Sequence, residues 1–131
     1  MVPAINGILE SSLYVSELRR SIRFYEEILG FSLISDFGER GCAMHAGRGQ
    51  VLLLFSKGAS TEVPFPHDGE GEFHVAFAIA RTELPRWEAW LEGKGLSVGR
   101  KTWEGGGESL YFRDPDRHLL ELVTPGTWPV Y

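Results

Sequence analysis

The sequence predicts an α+β protein built from two tandem βαβββ modules whose mixed sheets curl. Three observations carry that prediction. The order strand, helix, strand, hairpin occurs twice in a chain of 131 residues, at an offset of about 64 to 68. Within each copy the apolar pattern alternates between a period of two and one of about 3.6. One copy, about 60 residues long, would be marginal alone, so the two are expected to form one domain. That domain takes in residues 1–131, with module one at about 6–56, a connector at about 57–72 and module two at about 73–125.

Ile8–Val15 opens the first module as a strand, with Glu10, Ser12 and Tyr14 on one side and Ser11, Leu13 and Val15 on the other. Ser16 suits an N-cap, and Leu18, Ile22, Tyr25 and Leu29 then follow at spacings that make one helical face. Gly30 supplies the left-handed stop, and Phe31–Ser35 resumes as a strand. Ala43–His45 and Val51–Phe55 make a hairpin around Gly47-Arg48-Gly49. Ser56–Glu72 is polar and aperiodic, as a connector or functional loop would be.

The second module starts with the alternating strand Phe73–Ile79. Thr82 is the expected cap of a helix carrying Leu84, Trp87 and Leu91, which Gly93 and Gly95 end. Leu96–Val98 reads as a short strand, and Gly105-Gly106-Gly107 as a mobile rim rather than a phosphate loop, since it has no lysine and no strand-to-helix setting. Leu110–Phe112 and Leu119–Val123 form the second hairpin, around the tight turn Asp114-Pro115-Asp116-Arg117.

The composition excludes several classes. With 13 basic and 18 acidic residues the net charge is −5, which argues against a duplex nucleic-acid partner and gives no support for an anionic membrane surface. No apolar run reaches a membrane span, and the N-terminus lacks the pattern of a secretory signal, so a cytoplasmic protein is expected. The single cysteine, Cys42, excludes an internal disulfide or a multi-cysteine metal site and reads as a packing residue.

Laid over each other, the modules place Glu10 opposite His74 and Leu53 opposite Glu121. Two carboxylates converging with an imidazole would neutralise a divalent ion, supply three N/O ligands and leave coordination positions open. The argument comes from internal symmetry, since no local metal motif is present. His118 reads as a turn residue, His67 as an unremarkable connector residue, and His45 as a neighbour of the pocket.

The chain resembles the vicinal oxygen chelate superfamily, which contains glyoxalase I, extradiol dioxygenases, fosfomycin-resistance transferases and bleomycin-resistance proteins. The resemblance covers essentially the whole chain. It is carried by Leu13-Tyr14-Val15-Ser16-Glu17-Leu18, by Ser21–Phe31 with its Phe24-Tyr25 pair and Leu29-Gly30-Phe31, and by Tyr111–Leu122 with Asp114-Pro115-Asp116 and Glu121 five residues on. It implies sheets curled around a concave cup, with a divalent metal (Mn, Fe, Ni or Zn) held by Glu10, His74 and Glu121. Glu10 and Glu121 would also serve proton transfer, and Tyr14, Leu53, Trp103 and Phe112 would line the substrate pocket. Glyoxalase I carries a glutamate where Leu53 stands, and three-ligand members usually carry histidine where Glu10 stands.

The resemblance further implies a homodimer and a small-molecule substrate that chelates through neighbouring oxygens, handled by lyase, isomerase, transferase or dioxygenase chemistry. The alternative is a non-catalytic protein that sequesters a drug or metabolite, of the bleomycin-binding type.

Overall fold

The computed structural model describes residues 1–131 and divides into two compact units, Met1–Glu70 and Gly71–Tyr131. The first contains β1 (Glu10–Val15), α1 (Leu18–Leu29), β2 (Ser32–Asp36), β3 (Gly41–His45) and β4 (Val51–Ser56). The second contains β5 (His74–Ala78), α2 (Leu84–Gly93), β6 (Gly99–Thr102), β7 (Glu108–Arg113) and β8 (Leu119–Val123). Their four-stranded sheets are ordered β1-β4-β3-β2 and β5-β8-β7-β6. In each, the first strand lies parallel to the last and the other pairings are antiparallel. The expected duplication is therefore the observed topology.

Register fixes what each sheet face carries. In the first unit Leu13 pairs with Leu54, which pairs in turn with Cys42, so these share a face with Leu52 and Met44. That face is buried together with Leu18, Ile22, Tyr25 and Leu29 of α1. Burying such side chains contributes roughly 1.5–3 kcal/mol each and is what holds the short helix in place. The opposite face carries Glu10, Ser12, Tyr14, Leu53 and Phe55 and has no helix of its own unit over it.

The helix ends show where local chemistry departs from expectation. Glu17 caps α1 in place of Ser16, because its two carboxylate oxygens reach the N–H groups of both Arg19 and Arg20. Ser16 instead accepts from the Arg20 guanidinium. Gly30, at φ +70°, closes the helix as expected: its N–H meets the Glu26 carbonyl while Phe31 N–H reaches back to Tyr25. In the second unit Thr82 does not cap. A single 3-10 turn, Arg81–Glu83, leads into α2, and Pro85 pre-sets its first turn. Leu96 is taken up in closing that helix, its N–H bonding the Leu91 carbonyl after Gly95 at φ +80°, so the strand expected at Leu96–Val98 begins at Gly99.

Gly105-Gly106-Gly107 is a backbone packing contact, which corrects its reading as a mobile rim. A Cβ on Gly107 would lie 2.6 Å from the Gly126 carbonyl carbon, leaving no room for a side chain. Arg81 ties the two segments together by donating to the Gly106 and Pro125 carbonyls, both at 2.8 Å.

Cys42 faces α1 at 1% exposure, and burial pushes its thiol up to about 11. The nucleophilic thiolate is therefore scarce at neutral pH. Native protein is expected to resist alkylation by iodoacetamide at pH 8 and to react fully once denatured, as intact mass will show.

Candidate metal centre

Within the second unit, β5 and β8 run parallel with Ala76 opposite Glu121, and His74 stands two residues before Ala76 on the same face. His74 Nε2 lies 3.2 Å from Glu121 Oε1. The other ring nitrogen, Nδ1, is 2.9 Å from the Leu119 carbonyl oxygen. A carbonyl can only accept, so Nδ1 carries the proton and the lone pair of a neutral ring sits on Nε2. In the neutral ring two acceptors face each other across 3.2 Å, and in the charged ring Nε2–H donates to the carboxylate. Such an arrangement calls for a cation between them, either a proton or a metal ion.

Glu121 is buried at 6% exposure, and its second oxygen, Oε2, accepts a short hydrogen bond from the Ser109 hydroxyl. Ser109 accepts in turn from the Trp103 indole N–H at 2.8 Å. The hydroxyl's one proton is thereby committed to the carboxylate. Tyr111 pairs directly across from Glu121. Burial, and after it the Glu121 charge, raise the Tyr111 hydroxyl above its usual range, so it remains a protonated donor at neutral pH. Lys101 stacks over the Trp103 ring at 3.9 Å and adds a positive charge beside the chain of donors.

The expected residues are distributed as follows. His74 and Glu121 meet in the second unit, and Glu10 stands at the exposed start of β1 in the first. Leu53 faces Ser12, the third residue of β1, as Glu121 faces Ala76, the third residue of β5. The internal equivalence of Leu53 and Glu121 is therefore the observed register. Within each unit, no three His, Cys, Asp or Glu side chains gather closely enough to hold a metal by themselves. Trp103 reaches the Glu121 network through Ser109.

Phe112 is a correction. It pairs with Leu120 at 2% exposure, on the face it shares with Leu110. That face is the one under α2, because Arg100, opposite Leu110, is ion-paired to Glu88 of the helix at 2.8 Å. Phe112 is thus a core residue, and Tyr111 is the aromatic that shares a face with Glu121. Loop length sets this parity. Asp114 N–H bonds the His118 carbonyl, so three residues, 115–117, turn the hairpin, with Arg117 at φ +68°. One extra residue reverses which side chains of β7 share a face with Glu121.

A model of the Glyoxalase/Bleomycin resistance protein/Dioxygenase superfamily matches residues 5–122. The chain belongs to this superfamily. Metallothiol transferase FosB of Bacillus licheniformis is 34% identical over 122 residues, which is 92% of this chain and 76% of the relative. Glutathione transferase FosA of Serratia marcescens is 31% identical, covering 93% and 81%. The crystal structure of lactoylglutathione lyase from Agrobacterium tumefaciens shares the fold, with a TM-score of 0.89 at 24% identity over 97% of this chain and 99% of that one. Like these relatives, the glyoxalase-superfamily protein described here is an enzyme.

Two histidines of this superfamily member have roles that sequence reasoning missed. His118 is fully buried: its Nδ1 accepts the Phe73 N–H at 2.8 Å, and its own N–H donates to Asp114. It thereby ties the strand carrying His74 to the strand carrying Glu121. His67 is hydrogen-bonded to Tyr14 at 2.7 Å and packs edge-on against Phe55. His45 serves its own turn by accepting the Gly49 N–H. No helix of the protein is long and apolar enough to cross a membrane.

Proposed function

We propose that the protein is a divalent-metal-dependent transferase that joins a small thiol to an oxygen-rich electrophile. In this reading Glu10, His74 and Glu121 hold Mn²⁺, Fe²⁺, Ni²⁺ or Zn²⁺. The observation that carries it is the 3.2 Å approach of His74 Nε2 to Glu121 Oε1, each side chain aimed by a partner on its far side. The donor set fits a borderline cation, with imidazole nitrogen and carboxylate oxygen and no thiolate. The thiol and transferase elements rest on the likeness to the metallothiol transferase and the glutathione transferase at 34% and 31% identity.

When bound, the metal would act as a Lewis acid on substrate oxygens. The protein's own part is to orient and to donate. The Leu119 carbonyl fixes the Nδ1 proton of His74, Ser109 holds one oxygen of the Glu121 carboxylate, and the protonated Tyr111 hydroxyl adds a donor to that carboxylate from the same face. We read the active species as a homodimer. Supporting this, each sheet leaves one face without a helix of its own unit, with half-buried Leu53 on one and Leu119 beside exposed Ala76 on the other.

The test is elemental analysis of the dialysed protein, followed by incubation of metal-loaded protein with glutathione and fosfomycin as probes. Stoichiometric divalent metal and a chelator-sensitive thiol adduct, seen by mass spectrometry, are expected. Protein that takes up no metal even after loading overturns the reading. Trp103→Phe supplies a finer check. It keeps an aromatic ring but removes the donor to Ser109, so metal affinity should fall roughly tenfold in calorimetric titration.

A further inference from the structure

We propose that the first unit carries a separate binding site for an anionic oxygen group of a small molecule, a carboxylate or a phosphate-type group, with Arg40 as its cation. Arg40 ends the turn before β3, and its guanidinium carbon lies 5.1 Å from the centroid of Phe55 and 5.7 Å from that of Phe37. The two aromatic rings take the place of water around the half-buried cation and fix its plane. One of its five N–H donors is used, Nη1 donating to the Ser60 hydroxyl at 3.1 Å. Ser60 is itself buried at 1% exposure, so the anchor is rigid.

Lys57, Arg86, Arg100, Arg113 and Arg117 each meet a glutamate within 3.4 Å, whereas Arg40, like Arg81 and Lys101, has no carboxylate within ion-pair distance. Arg81 spends both terminal nitrogens on carbonyls, while Arg40 spends only Nη1. A fixed guanidinium with free donors and no counter-charge has the geometry that accepts an oxyanion through two parallel hydrogen bonds.

The surroundings of the Phe55 ring supply further polar groups. The connector folds back so that His67 N–H bonds the Ser60 carbonyl, which delivers the His67 ring to 4.6 Å from Phe55 and within 2.7 Å of the Tyr14 hydroxyl. The neighbouring carboxylate, Asp68, accepts the Gly58 N–H at 3.0 Å, and its charge is felt at Tyr14 and His67 but makes no ion pair with Arg40. Tyr14 shares its strand and face with Glu10, four residues away, which is about 13 Å along an extended chain. The site therefore suits the charged far end of an extended substrate, a group distinct from the one Glu10 meets. It stands or falls independently of the metal.

The experiment is an NMR titration of the full chain, 15N-labelled, with inorganic phosphate and separately with malonate, at constant ionic strength set by sodium chloride. Saturable shifts confined to the Arg40 Nε–H and the amides of Ser60 and His67 are expected, with affinity at least tenfold weaker in Arg40→Met. Arg40→Lys retains the charge but loses the planar fork, and is expected to weaken binding severalfold with melting temperature unchanged. It decides the question alone should Arg40→Met fail to fold. Shifts that never saturate, or that are the same in Arg40→Lys as in the wild type, overturn the proposal. So do shifts that follow protein concentration instead of anion, since they would assign Arg40 to a carboxylate of a second copy.

Discussion

Glu121→Ala is expected to abolish stoichiometric metal binding, with affinity falling at least about 100-fold, or about 2.7 kcal/mol. The carboxylate is buried and its far oxygen is held by Ser109, so no rotamer of a neighbouring side chain can replace it. His74→Ala should lose affinity to a similar degree, since it removes the nitrogen 3.2 Å from the same oxygen. Glu121→Gln keeps the shape and one acceptor but removes the charge, and should fall between the alanine variant and the wild type. Chelator-stripped protein titrated with Mn²⁺, Ni²⁺ or Zn²⁺ in a calorimeter separates these cases. Glu10→Ala belongs in the same series, and a loss there would assign the first unit's carboxylate to the metal. Wild-type affinity in Glu121→Ala would leave the His74–Glu121 pair as an ion pair closed by a proton.

The largest loss of stability away from the His74–Glu121 pair is expected for His118→Ala. Its imidazole is fully buried and its Nδ1 is the acceptor for the Phe73 N–H. Truncation opens a cavity and leaves a backbone donor between two strands without its partner, together costing about 2–4 kcal/mol. Chemical denaturation should show the midpoint falling with the slope unchanged. Metal affinity should fall as well, because Phe73 immediately precedes His74 and its hydrogen bond sets where β5 begins. A His118→Ala protein with unaltered denaturation midpoint would mean that water takes over the Phe73 N–H.

Most of the architecture was legible in the sequence because the duplication repeats its own punctuation. Leu29-Gly30-Phe31 and Lys94-Gly95-Leu96 both leave a helix through a left-handed glycine, at φ +70° and +80°. The equivalence of Leu53 and Glu121 could be drawn from the alignment of the halves, and the observed pairings place both opposite the third residue of a first strand. Two kinds of feature were out of reach. One was register: residues 114–117 mark a turn but not its exact length, and that length decides whether Phe112 or the pair Tyr111 and Ser109 shares a face with Glu121. The structure closes the three-residue loop with a left-handed Arg117, which the chain does not announce because that position is not glycine. The other was long-range polar pairing. Nothing near His118 or His67 in the chain announces Phe73 or Tyr14, because hydrogen bonds over 45 and 53 residues have no local pattern.

The three-residue hairpin loop has a consequence for how such a sequence can change over generations. Losing or gaining one codon between Asp114 and His118 would exchange the two faces of β8 relative to β7, turning Glu121 toward the apolar layer and Leu120 and Leu122 toward solvent. A point substitution in that loop alters one side chain, whereas a single-residue deletion rewrites every side chain of the hairpin at once. The connector before β5 escapes this restriction, since its length sets no strand register within the second sheet. Length variation among descendants should therefore accumulate in the connector and be purged from the Asp114–His118 loop.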